Sequence, residues 1–394
     1  MKNKALMYGP LLAMIGVASA QSPIDYYDDD KGYPSRSSED LEDVATQAGN
    51  AAVGLNATRV NTRDVGDRLF RMRAGQPLHQ TSTTTTTAPS AKGGKEPIVS
   101  TVNTPACWEV FGGLFYYTED ADQLYRFQVQ GPGTAPNPIN VLIGADTDLD
   151  IFGGHIGVEH RFNENWRGGL AIAGSRSELD TSINNFALAN TEVDAFSIMP
   201  YITYYRDNAV FGADFWMDLL YGYTDLSYDI QRTFGAFTGV GSPDGSTHTL
   251  DFNTGLTFRG NRVAHGPYAG LRWIDGEVDS YTQNIIGIGP AGFFPSLDME
   301  SLASTLGYSI SIPIALSNGT LIPQFRAAWE HEFEDDAGAV FGIPFADREE
   351  DIAVLGAGLG YYGNSGWNAV LDYEARIGED LDGHYVGLKV GKEF

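Results

Sequence analysis

Few residues of this 394-residue chain combine the types and the spacing that a reaction or a metal ion requires. The segment GIGPAG at 287–292 matches the glycine spacing of a dinucleotide-binding loop, but it contains a proline and no helix is predicted after it. Three alternating carboxylates imitate the start of a calcium loop: Asp146, Asp148 and Asp150. The glycine and the bidentate glutamate that such a loop also needs are replaced by Ile151 and Gly157. Neither segment therefore predicts a nucleotide or metal site.

The histidines do not form a catalytic or zinc-binding pattern either. His331 precedes Glu332 as in a zinc protease, but the second histidine of that motif is missing and the pair falls on a predicted strand. Five others are scattered, with one in each segment or nearly so: His155, His160, His248, His265 and His384. A Ser-His-Asp set has no local support. We therefore predict that the chain is not an enzyme, with no catalytic residues, no cofactor and no metal site.

The composition indicates many strands and excludes nucleic acid as a partner. The chain has 47 glycines and 12% aromatic residues, which is typical of strands joined by tight turns. The net charge is −26, and residues 106–394 carry all of this excess, so the basic face that phosphates demand is missing. Cys107 is the single cysteine, which excludes an intramolecular disulfide and a cysteine-based zinc site. No small-molecule substrate is indicated.

The first twenty residues have the pattern of an export signal. A basic start and an apolar run at 5–17 precede a small-x-small cleavage site, ASA at 18–20. The run is too short to span a bilayer as a helix. We therefore predict a signal peptide at residues 1–20 and a mature protein that begins at about Gln21.

Residues 21–105 are predicted to form a polar N-terminal region with one helix. The segment NATRVNTRDVGDRLFRMRAG predicts a helix at about 56–74. Asp64 and Asp67 each stand four residues before an arginine, which predicts ion pairs along the helix. Five arginines make this helix basic, Arg59, Arg63, Arg68, Arg71 and Arg73, and the first four are the candidates for contacts inside a pore.

The segments on either side of that helix are weaker. Gly49 and Gly54 lower the helix propensity of the residues before it. Residues 76–105 are rich in threonine and proline and too polar to pack, so they predict a disordered linker.

From residue 106 to the end, apolar and polar residues alternate with the period of two that defines a half-buried strand. In SLASTLGYSISIPIAL, mostly leucine and isoleucine fall on one face and mostly serine, threonine and glycine on the other. Segments of about ten residues match a tilted membrane crossing. Twelve such segments occur, near 107–117, 146–161, 165–179, 191–206, 209–229, 247–259, 266–282, 298–315, 320–334, 350–362, 367–377 and 383–394.

The connections between these segments are alternately short and long. FNEN, RDN, GNR, SNG and GNS read as tight turns, and the connections between them are long or acidic. A soluble sandwich has no reason to place every long loop at one end, whereas a bacterial outer-membrane barrel does. The fold class predicted is therefore all-β, a 12-stranded antiparallel transmembrane β-barrel. Six aromatic residues beside the short turns predict an interfacial girdle: Trp166, Tyr204, Tyr205, Tyr361, Tyr362 and Trp367.

The last strand, GHYVGLKVGKEF, predicts the orientation of the closing residues. Val386, Leu388, Val390 and Phe394 share one parity and are predicted to face lipid, with Phe394 at the periplasmic rim. Inward positions on other strands carry charges and predict a polar lumen. The predicted lumen-facing residues are Glu109, Asp214, Asp218, Arg326, Glu330, Asp372, Glu374 and Arg376.

Residues 106–394 resemble the autotransporter β-domain, an outer-membrane translocator barrel. The resemblance rests on WEVFGGLFYY as the first strand, on GGHIGVEHRFNENWRGGLAIAGSRSELD as a strand-turn-strand unit, and on YAGLRWIDGEVDSYTQN, AAWEHEF and the closing strand. It implies a barrel that anchors and presents or translocates a short N-terminal segment. It also implies that the predicted helix crosses the pore, where its arginines meet lumen carboxylates.

The resemblance further implies an assembly signal in the last strand, at Val390 and Phe394, read by the barrel-assembly machinery. Periplasmic chaperones and outer-membrane lipid are the other implied partners. Two features differ from the family pattern, because the segment before the barrel is short and the helix is some thirty residues from Trp108. A helix in the periplasm or on the external surface thus stays open. The alternative functions are a small passive, porin-like channel and, in a third class, a surface adhesin or outer-membrane hydrolase.

Overall fold

A computed structural model describes residues 38–75, 81–88, 98–105, 107–129, 139–183, 186–234, 237–334, 339–340, 343–344 and 350–394. Twelve long strands and one helix, α1 (Ser38–Gly75), form the body of this part. The strands are β1 (Trp108–Val129), β2 (Ile139–Arg161), β3 (Trp166–Ile183), β4 (Phe186–Val210), β5 (Ala213–Phe234), β6 (Asp244–Arg259), β7 (Ala264–Val278), β8 (Leu297–Ser311), β9 (Gly319–Glu334), β10 (Asp351–Gly363), β11 (Trp367–Ile377) and β12 (Leu381–Glu393).

These strands close into a barrel. Each pairs antiparallel with the next in the chain, and β12 pairs with β1 from Leu381 opposite Ala121 to Glu393 opposite Glu109. The backbone N–H of Phe394 then donates to the Trp108 carbonyl at 2.8 Å. Closure leaves no free edge in the wall. A sheet that stands in lipid must have no free edge. The predicted 12-stranded antiparallel barrel is confirmed.

Shorter strands lie outside this closed wall. Phe237–Gly241, Tyr281–Ile285 and Gly289–Phe294 extend the sheet from the end of β5. Ile314–Leu316 pairs with the start of β9, and Ala339–Val340 pairs with Ile343–Pro344. Within the predicted linker, Thr81–Ala88 pairs with Ile98–Pro105. This pairing was not predicted, and β-branched threonines, which favour extended backbone, account for it.

Along β2, the face that carries the apolar side chains changes from the outer to the inner face of the wall. In the half near the short turns, Phe152 and Ile156 point outward and His155 and Glu159 are buried inside. In the other half, the inward residues are apolar, as at Ile151. The outward residues there are exposed carboxylates: Asp146, Asp148 and Asp150.

The same reversal occurs on other strands. On β7, outward Leu271 and Trp273 give way to outward Asp275 and Glu277, and Ile274 is buried inside. An apolar outer face suits hydrocarbon, and a carboxylate outer face suits water. The reversal therefore marks the level at which the wall leaves the apolar band. β1 has 22 residues, about twice the length of a tilted membrane crossing, so half of it stands beyond that level.

Helix α1 lies inside the barrel, with its backbone nearest to β2 to β8. Its 38 residues contain the predicted segment at 56–74 and extend it to the N-terminal side. At 1.5 Å per residue the helix is about 57 Å long, which exceeds the thickness of a membrane core. Among the described residues, no helix is both long and apolar enough to cross a membrane. The predicted signal peptide and the segment 21–37 lie outside the described residues.

Two local predictions were wrong. The turn predicted at RDN, residues 206–208, lies instead at Phe211 and Gly212, because Val210 pairs with Ala213 across a two-residue turn. Of the predicted girdle, Tyr205 and Tyr362 are buried inside the barrel. Consecutive strand residues point to opposite faces, so one member of each Tyr-Tyr pair must face inward.

Candidate functional site

The contacts of α1 define its direction through the lumen. Near its C-terminal end, Arg68 meets Glu109, two residues into β1 at the end with the short turns. Near its N-terminal end, Gln47 donates to the hydroxyl of Tyr281 at 3.2 Å, at the end with the long loops. We call these the short-turn end and the long-loop end. The helix therefore enters from the long-loop end and runs through the barrel to the short-turn end.

At the short-turn end, Arg68 is held by charge and by an aromatic face. Its guanidinium is 2.7 Å from Glu109 and 3.5 Å from Glu159, and it lies 3.5 Å from the centre of the Phe111 ring. Glu159 also pairs with Arg167 at 3.0 Å. Buried charges need partners of opposite sign, and here each carboxylate and each guanidinium has one.

In the middle of the lumen, Asp64 is the most densely paired residue of the helix. Its carboxylate accepts a hydrogen bond from the Tyr385 hydroxyl, contacts His155 Nδ1 and lies 3.0 Å from Lys389 Nζ. Lys389 Nζ is also 3.8 Å from Asp372. Three wall groups, from β2 and β12, thus converge on one helix carboxylate that is completely buried.

A second mixed cluster lies beside the first. Arg326 on β9 binds Asp67 of the helix through two hydrogen bonds, at 2.7 and 2.9 Å, and also contacts Glu374. Glu374 is in turn paired with Arg63 of the helix. Acidic residues of the helix face basic residues of the wall, and basic residues of the helix face acidic residues of the wall. A shift of the helix by one turn would therefore break the ion pairs of both clusters. The pairs therefore define the register of the helix in the barrel.

Higher in the lumen, the pairing becomes less charged. Arg59 binds Glu332, and Ser301 donates to the same carboxylate at 2.9 Å. Beyond this level Asn56 donates to Glu119 at 3.0 Å, and the Thr58 and Thr247 hydroxyls are 2.9 Å apart.

Towards the long-loop end, the lumen is an apolar core. Leu55 of α1 is fully buried in a cluster with Ile151, Leu226 and Met299 of the wall. Gly54 brings the helix so close to the wall that a Cβ there would collide with the Tyr228 hydroxyl. The charged side chains of the lumen described above therefore lie in the short-turn half. The long-loop half is packed like the interior of a soluble domain, with α1 as its centre.

The structure buries the predicted lumen-facing residues inside the barrel, where their partners are only partly those expected. Arg68 meets Glu109 and Arg63 meets Glu374, as proposed for a pore helix. Other inward carboxylates bind wall residues instead: Asp214 binds Arg259, Glu330 binds Arg376 and Asp372 lies near Lys389. Asp218 is buried on β5, and the side chain of Arg71 lies outside the described part.

Asp64 contacts the wall rather than the arginine four residues further along the helix, with which an ion pair was predicted. Asp64 binds β2 and β12, and Asp67 binds Arg326. Sequence reasoning missed several partners in the wall: His155, Glu159, Glu332, Tyr385 and Lys389. Inward parity was the available signal for them, since His155 and Lys389 alternate with outward apolar residues.

Residues predicted at the surface are found on the outer face. Val390 and Phe394 are exposed, with Phe394 next to the start of β1.

Beyond the apolar band, partial burial and the neighbouring Asp120 and Asp180 raise the pKa of Asp148. Among the described residues, no three His, Cys, Asp or Glu side chains converge as metal ligands would.

A closed barrel with an apolar outer band, polar groups inside that band and most of its short turns at one end is an outer-membrane β-barrel. The family model described as the autotransporter beta-domain matches residues 143–374, which is more than half of the chain. The chain belongs to this family of outer-membrane translocator barrels. The short-turn end accordingly faces the periplasm and the long-loop end faces the outside.

Two solved structures are similar in fold. The translocator domain of autotransporter NalP from Neisseria meningitidis is 18% identical, with a TM-score of 0.55, over 74% of this chain and 90% of that one. The beta domain of the Bordetella autotransporter BrkA is 15% identical, with a TM-score of 0.51, over 72% of this chain and 99% of that one. No curated protein sequence matches the chain.

Proposed function

We propose that this barrel exports the short segment before α1, presents it at the cell surface, and then keeps α1 in the lumen as a permanent seal. The observation that carries the proposal is the direction of the helix, whose Ser38 end lies beyond Gln47 at the long-loop end. A chain that leaves the helix at Ser38 continues on the outside of the membrane. Cleavage of a signal peptide before Gln21 is part of the proposal.

The seal follows from how completely α1 is bound. Its lower half is paired with wall charges, and its upper half is the centre of an apolar core. Withdrawal would leave wall charges without partners inside the barrel and expose the apolar core to water, and both changes are unfavourable. The proposal assigns no enzymatic step to the chain. The proposed partners of the protein during biogenesis are periplasmic chaperones and the barrel-assembly machinery, which would recognise the end of the last strand at Val390 and Phe394.

The native cysteine provides an internal control for the test. Cys107 is exposed and precedes β1 at the periplasmic end. In a Cys107→Ser background, Ser38→Cys places a single thiol at the outer end of the helix. We expect a membrane-impermeant maleimide to label Ser38→Cys on intact cells, whereas it labels Cys107 of the unmodified protein only after permeabilisation. Labelling of Cys107 but not of Ser38→Cys on intact cells would overturn the proposed direction.

A further inference from the structure

The turn between β4 and β5 presents an apolar side chain that the described part of the chain does not cover. Phe211 is 97% exposed. Its φ is 50° and that of Gly212 is 82°, so both residues adopt the left-handed backbone of a tight hairpin turn. Asn-Gly is the preferred pair in such a turn, and a bulky residue at positive φ is an outlier. The chain thus places phenylalanine where asparagine would suit both the backbone and water better.

The neighbouring sequence offered a less strained turn that the fold does not use. Asp207 and Asn208 have the residue types of a tight turn, yet the hairpin continues past them to Val210. Asn208 instead takes a φ of 48° within an irregular stretch, and its N–H donates to Asp214 at 3.0 Å. The hairpin is therefore longer than necessary, and the extension ends at Phe211.

The position of Phe211 continues the lipid-facing aromatic row at the periplasmic end. Trp166 and Tyr204 have ring centres 4.8 Å apart, and those of Tyr204 and Phe215 are 6.3 Å apart. Phe211 lies in the turn that leads into β5, and the outer face of β5 carries Phe215 and Leu219. The exposed ring is therefore at the periplasmic end of a surface that already faces lipid.

We propose that Phe211 inserts into the periplasmic leaflet of the outer membrane and anchors the β4–β5 hairpin there. Transfer of its ring from water into the interfacial region is favourable and offsets the cost of the left-handed backbone. The partner is the lipid of the barrel's own membrane, because the aromatic row to which Phe211 adds already lies against it.

The direct test measures the depth of residue 211 in reconstituted vesicles. In the Cys107→Ser background, Phe211→Cys carries a nitroxide spin label, and collision rates with oxygen and with a nickel chelate are compared. Asn261→Cys, in the exposed turn between β6 and β7, is the matched control on the same side. We expect the label at 211 to collide several-fold more with oxygen relative to nickel than the label at 261. Equal ratios at the two positions would overturn the proposal.

A variant without a label gives a second test, in which the direction of the change in the urea midpoint of unfolding decides. Phe211→Asn provides the residue that the turn prefers, so relief of strain alone would raise the urea midpoint of unfolding from vesicles. Loss of the lipid anchor would lower it. We expect a lower midpoint, and a higher or unchanged one would contradict the proposal.

Discussion

Replacement of Asp64 by asparagine is expected to destabilise the folded barrel by about 3 kcal/mol, the low end of the cost of breaking a buried ion pair. The shape of the side chain is kept, but the charge that faces Lys389 at 3.0 Å is lost. Asp372, 3.8 Å from the same ammonium, then remains as an acidic partner of Lys389. Urea unfolding in detergent micelles, followed by the loss of the compact form on unheated gels, measures the change.

The control for Asp64 is an aspartate that faces a histidine in water, as Asp64 faces His155 inside the barrel. Asp382 is 3.5 Å from His384, and both side chains are largely exposed. Asp382→Asn is expected to change the stability by less than about 0.5 kcal/mol. A double variant, Asp64→Asn with Lys389→Met, is expected to cost less than the sum of the single changes, because the unpaired charge is removed with its partner. Equal effects of Asp64→Asn and Asp382→Asn would show that the buried cluster does not hold the helix.

Replacement of Gly54 by alanine is expected to destabilise the barrel by about 1 to 3 kcal/mol, although alanine has the higher helix propensity. The added methyl group would collide with the Tyr228 hydroxyl, which is buried in the long-loop core and has no hydrogen-bond partner among the described residues. Tyr228→Phe removes that hydroxyl and is expected to restore part of the stability of Gly54→Ala. The same unfolding measurement applies.

A second glycine in the same helix is the matched control. A Cβ at Gly66 would meet no atom within 4 Å. Gly66→Ala is therefore expected to stabilise the protein by about 0.5 to 1 kcal/mol, through helix propensity alone. If Gly54→Ala behaved like Gly66→Ala, or if Tyr228→Phe gave no rescue, the close approach of helix and wall at Gly54 would be refuted.

The strands could be predicted because a barrel wall has two different solvents on its two faces. Where Leu371 and Tyr373 face outward and Asp372 and Glu374 face inward, the alternation in the sequence reports the alternation of the backbone directly. Parity alone does not say which face is outside. The reversal on β2, where Ile151 is inside and Asp150 outside, was therefore not predicted, although the alternation itself continues without a break.

The partners of the helix could not be predicted for a different reason. Asp64 and Tyr385 are 321 residues apart in the chain, and their contact depends on the position of the helix along the lumen, which no local pattern encodes. The low helix propensity of glycine was also a misleading signal at Gly54. It counted against a helix, whereas in the folded barrel the missing side chain is what lets the helix approach Tyr228.

Closure of the lumen by α1 is tested most directly by the conductance of the purified full-length protein in planar bilayers. Insertion is verified independently by the compact form on unheated gels. We expect the unmodified protein to stay closed at moderate voltage, and Asp64→Asn and Gly54→Ala to show transient openings under the same conditions. A steady, cation-preferring conductance of the unmodified protein would contradict the account and favour a passive channel.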